Sequence, residues 1–158
     1  MSENTELQQL VVNGQYVKDL SFEVPGAPGI YMEMQGQAPN IPIHVDINAS
    51  KLGDNSYEVV LHLKVEARLE DNRPVFIVEL AYGGIFTLNI PAEHLQPMLL
   101  IECPRLLFPF ARNIIADTTR DGGFPPLMIQ PIDFVQLFRA RMEAAQAEAA
   151  EEGPVGHA

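Results

Sequence analysis

Polar and apolar positions alternate with period two through most of the first ninety residues. In "YVKDLSFEV", Tyr16, Leu20, Phe22 and Val24 share one face, and Val17, Asp19, Ser21 and Glu23 share the other. This predicts a half-buried strand from about residue 7 to 24, with Lys18 as the only break on its apolar side and Asn13-Gly14 as a point of interruption or bulging. Pro25, Gly26 and Pro28 end it and open a loop over residues 25–40. In "IPIHVDI", Ile41, Ile43, Val45 and Ile47 alternate with Pro42, His44 and Asp46, giving a second strand whose proline suits a start or an edge. In "YEVVLHLKVEARLE", Tyr57, Val59, Leu61, Leu63, Val65, Ala67 and Leu69 point inward, with Glu58, His62, Lys64, Glu66, Arg68 and Glu70 outward. The fourth strand, "VFIVELAYGGIFTLNI", sets Ile77 and Glu79 on one side, between Val75 and Ala81. Its Gly83-Gly84 pair marks a bulge or a close backbone approach.

Beyond Ile90 the period changes. "PAEHLQPMLLIEC" predicts a helix opened by Pro91 and bent at Pro97. In "PRLLFPFARNIIADTTRDGG", Leu106, Leu107, Phe110, Ile114 and Ile115 recur at helical spacing, predicting a second helix ended by Gly122-Gly123. "FPPLMIQP" predicts an extended connector. A third helix follows, with Asp133 near its start, where the helix dipole favours an anion. Its apolar marks are Phe134, Leu137, Phe138 and Met142, and past them lies an Ala/Glu tract without an apolar stripe. Strands followed by helices indicate an α+β fold with an antiparallel sheet.

The 158 residues fit one domain, residues 1–158, with a loose tail over residues 1–6 and an acidic, Ala-rich C-terminal tail over residues 143–158. An apolar share of 47% is enough for a core. The net charge of -11 opposes phosphate backbones and anionic lipid and favours basic partners. The start is polar and acidic, and no apolar run approaches a transmembrane span, so the expected location is the cytoplasm, without membrane insertion.

Catalytic chemistry finds little support in the residues. His44 and His62 fall on outward strand faces, His94 on a helix and His157 in the tail, and nothing gathers them into a site. The single cysteine, Cys103, reads as a small buried apolar residue, and one cysteine with four scattered histidines does not make a zinc site. Gly83-Gly84 lacks the further residues of a phosphate loop. Two features stand above this background. One is an outer sheet face where Ile77 sits beside acids, the composition of a contact surface. The other is the loop carrying Tyr31, Met32 and Met34 among Gly, Gln and Pro, since flexible methionine-rich surfaces bind varied apolar sequences.

The chain resembles the SecB family of bacterial protein-export chaperones over roughly residues 16–140. The landmarks are "KDLSFEVPGAP", "YEVVL", "ELAYGGIF" and "CPRLLFPFARNIIADTTRDGGFPPLMIQPIDFVQLF". The resemblance implies a four-stranded antiparallel sheet backed by helices, a homotetramer built as a dimer of dimers, no catalysis and no cofactor. It implies that unfolded preproteins are held in apolar surface grooves and passed to the SecA motor. Asp19, Glu23, Ile77 and Glu79 match the family's SecA-binding positions, and the partner is expected to present a basic, zinc-holding C-terminal segment. Val78, Leu80 and Tyr82 match a region that couples oligomer packing to client binding. Where the family often carries a tryptophan before strand two, this chain offers Tyr31, Met32 and Met34. Two rival readings are a SecB-like chaperone dedicated to another client, such as an antitoxin, and a small-molecule enzyme using outward acids and His62.

Overall fold

The computed structural model describes residues 9–152. Four strands, β1 (Leu10–Glu23), β2 (Ile43–Gly53), β3 (Ser56–Arg68) and β4 (Pro74–Leu88), form one antiparallel sheet in the order β1-β4-β3-β2. Asn55 and Asn72, at φ 58° and 71°, turn the chain between β2 and β3 and between β3 and β4; asparagine tolerates this left-handed backbone better than most residues. Strand β2 runs past the predicted end at Ile47 because "NASKLG" keeps pairing with the start of β3.

A five-residue helix, α1 (Gly29–Glu33), interrupts the stretch expected to be loop and buries Ile30. Beyond β4 the two predicted helices are one continuous helical run. It passes through a 3-10 turn (Ala92–His94), a short helix α2 (Leu95–Pro97), a π-turn (Met98–Glu102) and the long helix α3 (Cys103–Asp121). In the π-turn the Cys103 N–H reaches back to the Met98 carbonyl. That wider turn makes room for Pro104, which has no N–H for Leu100 and whose ring would crowd it in a regular helix. Gly122 and Gly123 follow α3, and Gly123 at φ +89° takes the turn. Helix α4 (Phe134–Glu151) is capped by Asp133, whose Oδ1 accepts from the Gln136 N–H at 3.0 Å.

The helices lie on one face of the sheet. Val78, Leu80, Tyr82, Phe86 and Leu88 of β4 share a core with Leu99, Leu107 and Ile115. Phe134 is buried with them, but Met142 is exposed, so the apolar stripe of α4 stops earlier than its sequence marks. The expected C-terminal tail is helical and exposed through Glu151, while residues 1–6 and 153–158 lie outside the described residues. Among the described residues no helix is long and apolar enough to cross a membrane.

Two register shifts in β1 decide which side chains face away from the helices. Asn13 is the extra residue between the Val12↔Phe86 and Gly14↔Ile85 pairs, and Lys18 is extra between Val17↔Tyr82 and Asp19↔Ala81. The bulge at Lys18 reverses the predicted phase upstream of it. Tyr16 pairs with Gly83 and faces outward, whereas Val17 pairs with Tyr82 on the helix side. Val75 is a similar case. It is the unpaired residue between the Ala67↔Phe76 and Arg68↔Pro74 pairs and is buried in the core, not outward beside Ile77.

Candidate functional site

The outer sheet face carries the first cluster. Glu23 lies directly opposite Ile77, Ser21 opposite Glu79, and Asp19 opposite Ala81. Period two therefore puts Asp19, Glu23, Ile77 and Glu79 together on one side of the β1–β4 pair. The three acids are exposed and Ile77 is half-buried among them. Beside them a shallow concavity of about 510 Å³ is lined by Lys18, Asp19, His44, Asp46, His62, Lys64, Glu79 and Ala81. Lys64 Nζ sits 3.1 Å from Glu66 and 3.3 Å from Glu79, so Glu79 already has a cation. Lys18 Nζ lies 2.9 Å from Glu58 Oε1, and the Tyr16 hydroxyl donates to the other Glu58 oxygen. The Tyr16 hydrogen bond and then the Lys18 ammonium hold the Glu58 carboxyl below the usual carboxylate range. Burial, reinforced by Glu58, pushes the Tyr16 hydroxyl up to about 12.

The second cluster is on the other side. A groove of about 580 Å³ runs between the α1 loop and the connector after α3. Tyr31, Met34 and Ile41 form one wall, Phe124, Pro125, Pro126 and Leu127 the other, and Phe76 of β4 also lines it. Tyr31 stacks on Phe124 at 5.2 Å and donates its hydroxyl to the Gly122 carbonyl at 2.6 Å. Phe76 and Phe22 continue the aromatic series, at 5.0 Å from Phe124 and 6.0 Å from each other respectively. The connector is pinned from beneath by Thr119, which is fully buried. Its Oγ1 donates to the Ile115 carbonyl and accepts from the Leu127 N–H, both at 2.9 Å. On the far side of α1, Arg73 pairs with Glu33 and, at 2.6 Å, with Asp71.

The remaining residues singled out from the sequence fall elsewhere. Met32 is 71% exposed and does not line the groove. Val78 and Leu80 are buried within the chain's own core. Tyr82 is buried too, but its ring stacks on Phe110, which is 52% exposed. Burial, with Glu102 adding to it, pushes the Cys103 thiol up to about 12, which suits a packed apolar residue and not a nucleophile. His44 and His62 lie outward as expected; His62 Nε2 is 3.0 Å from Asn48 Nδ2. No group of His, Cys, Asp and Glu suited to a metal occurs among the described residues. The connector wall had one sequence signal, the Pro-Pro pair in "FPPL", which fixes an extended backbone and cannot bury itself in a helix.

A sequence model of the family described as "Preprotein translocase subunit SecB" matches residues 3–145. The chain belongs to the SecB family. It is 65% identical to the protein-export protein SecB of Paramagnetospirillum magneticum, over 91% of this chain and 94% of that protein. It is 56% identical to the SecB of Rhodospirillum rubrum, over 90% and 88% of the two chains. These relatives identify it as a protein-export chaperone. Among solved structures its fold is shared, at a TM-score of 0.67 and 13% identity, with a SecB-like chaperone of Mycobacterium tuberculosis, Rv1957, in complex with a ChAD peptide from the antitoxin HigA1. That match covers 79% of this chain and 91% of the other.

Proposed function

We propose that this protein holds unfolded preproteins in the groove between α1 and the connector and delivers them to SecA, which docks on the outer sheet face at Asp19, Glu23, Ile77 and Glu79. The observation that carries this reading is the adjacency of Phe76 and Ile77 in β4: the first lines the groove, the second sits in the acidic face. The groove is apolar, and its volume falls within the ~300–1,000 Å³ of ligand pockets, room for side chains and not for a folded domain. Its Met34 adapts to many apolar sequences, against a wall that Pro125 and Pro126 hold in place. Burial of apolar surface at about 25 cal/mol per Å², reduced by ordering of the client, gives affinity without sequence specificity. Folded proteins escape because their apolar segments are already hidden. The protein works by binding alone, and a partner, not a nucleotide, relieves it of its client.

The docking partner is the basic, zinc-holding C-terminal segment of SecA. Exposed acids on a flat sheet speed encounter with such a segment and set its register, and Ile77 adds a small apolar anchor. The assembly is a homotetramer, a dimer of dimers, in the cytoplasm. Its support is an uncovered apolar strip at the β1 edge. Val17 and Leu20 are 47% and 41% exposed, and Val17 pairs with Tyr82, which stacks on the exposed Phe110, one turn from exposed Leu106. A second copy would cover both this strip and the open edge of β1. Several grooves in one assembly raise the effective concentration seen by a long client.

The test is calorimetric titration with a denatured polypeptide and, separately, with the SecA C-terminal segment, alongside light scattering. Both ligands bind, and the mass is that of a tetramer, on this reading. A protein that ignores the denatured polypeptide, or a monomer at micromolar concentration, contradicts it.

A further inference from the structure

The bulge in β1 has an electrostatic cost for a surface meant to receive a cation. It brings Lys18 and Asp19 to the same concavity, so a flexible ammonium stands next to a docking acid. A lysine in that place is a built-in competitor for any incoming Lys or Arg. Yet Lys18 points elsewhere. Its Nζ is 2.9 Å from Glu58 Oε1 on β3, and Asp19 makes no ion pair among the described residues.

Glu58 is equipped to take the lysine. It sits two strands away from β1, with β4 between. Its side chain is only 17% exposed, against 51% for that of Lys18, so it is the more fixed member of the pair. Tyr16 holds it from the other side, and reaches it because Gly83 of β4 has no side chain to block the ring: a β-carbon there would lie 2.8 Å from Tyr16 Cε2. The contrast is Glu79, for which no such device exists and which shares Lys64 with Glu66.

We propose that Glu58 is a positioning residue of the docking face: anchored by Tyr16, it draws Lys18 off Asp19 and keeps that acid open to a basic partner. The inference rests on the docking reading above and adds to it a residue outside the contact surface.

The experiment titrates the SecA C-terminal segment into the full-length wild type, Glu58→Gln, Glu58→Gln with Lys18→Met, Asp19→Asn, and Asp19→Asn with Glu58→Gln. Glu58→Gln weakens binding about two- to fivefold, the scale of one exposed ion pair, and adding Lys18→Met restores it. With Asp19 already neutral, Glu58→Gln has no further effect. If the double variant with Lys18→Met stays as weak as Glu58→Gln, or if Glu58→Gln costs as much without Asp19 as with it, the role is structural or a general charge effect and the inference falls. If Asp19→Asn alone leaves binding unchanged, the docking reading fails first. Should Glu58→Gln not fold, Lys18→Met decides. Its effect on binding is the same with Asp19 as with Asp19→Asn on this inference, and a gain that requires Asp19 shows that the lysine already sits on that acid and overturns it.

Discussion

The ring of Tyr16 fills the space where Gly83 lacks a side chain, and a methyl group there would come within 2.8 Å of Tyr16 Cε2. Gly84, the next residue, is crowded from the opposite face, where the same methyl would meet Phe86 at 2.7 Å and Leu107 at 2.9 Å. The two glycines thus serve different sides of one strand. Gly84→Ala presses on two fully buried side chains and costs about 1–3 kcal/mol, as overpacking does. Gly83→Ala costs less, because Tyr16 has water to swing into. Urea unfolding of the two variants checks the order.

On the proposed reading, charge reversal at the outer face separates SecA docking from client capture and assembly. Asp19→Lys with Glu79→Lys abolishes binding of SecA and leaves the tetramer and capture of denatured polypeptide as in wild type. Raising the salt weakens SecA binding more than client binding, since exposed ion pairs are screened and apolar burial is not. Titrations at low and high ionic strength test both statements.

In the groove, Tyr31→Ala together with Met34→Ala removes the wall facing Phe124 and weakens client binding while SecA binding persists. Met32→Ala, at a residue already 71% exposed, leaves client affinity unchanged. Equal effects of the two changes would move the groove away from this wall.

Thr119→Val keeps the shape of a fully buried side chain and deletes the acceptor of the Leu127 N–H. A donor left unpaired at this half-buried site costs about 1 kcal/mol, the low end of the range for buried donors. The connector loosens with it, so client binding falls along with the unfolding midpoint. Hydrogen exchange at Leu127 reports the effect locally.

Alkaline pH tests the Tyr16 contact. Its folded pKa is raised from the ordinary 10.0 to about 12, by burial first and then by Glu58. The folded state therefore holds this proton more tightly than the unfolded chain. The resulting stability is complete below pH ~10 and is lost as pH climbs towards about 12. The urea midpoint of wild type falls more steeply between those values than that of Tyr16→Phe. Glu58 acts in the opposite sense in acid: its lowered pKa adds stability that is present above the ordinary carboxylate range and disappears as pH drops through the lowered value.

Much of this was legible from alternation alone. Asp19, Glu23, Ile77 and Glu79 lie downstream of one bulge and clear of another, so simple period two placed them together on the outer face. Alternation puts Tyr16 and Val17 on the wrong sides, because the extra residue Lys18 inverts the phase upstream until the second extra residue, Asn13, restores it. The sign of the Lys18 bulge was visible as the only break in the apolar series, but a lysine stem lying along a core reads the same way. Val75 was misplaced for the same reason, by the register shift at the start of β4. The groove was half legible. Its Tyr31 and Met34 wall followed from loop composition, whereas the Phe124–Leu127 wall depends on Thr119 and on contacts made only after the helical run has folded back. In the sequence, Pro97 signals a bend in that run and Pro104 the start of a second helix, whereas a π-turn carries the helix through without a break.

Phe76 and Ile77 are separated by a single peptide bond yet look out on opposite sides of the sheet. A visitor on one side takes no room from a visitor on the other. On the proposed reading, empty and loaded carriers therefore have equal access to the motor, and neither has to wait for the other's surface to clear. Traffic through such a carrier would be governed by the supply of clients and by how long each stays in its groove, while the berth on the outer face would remain common to all comers.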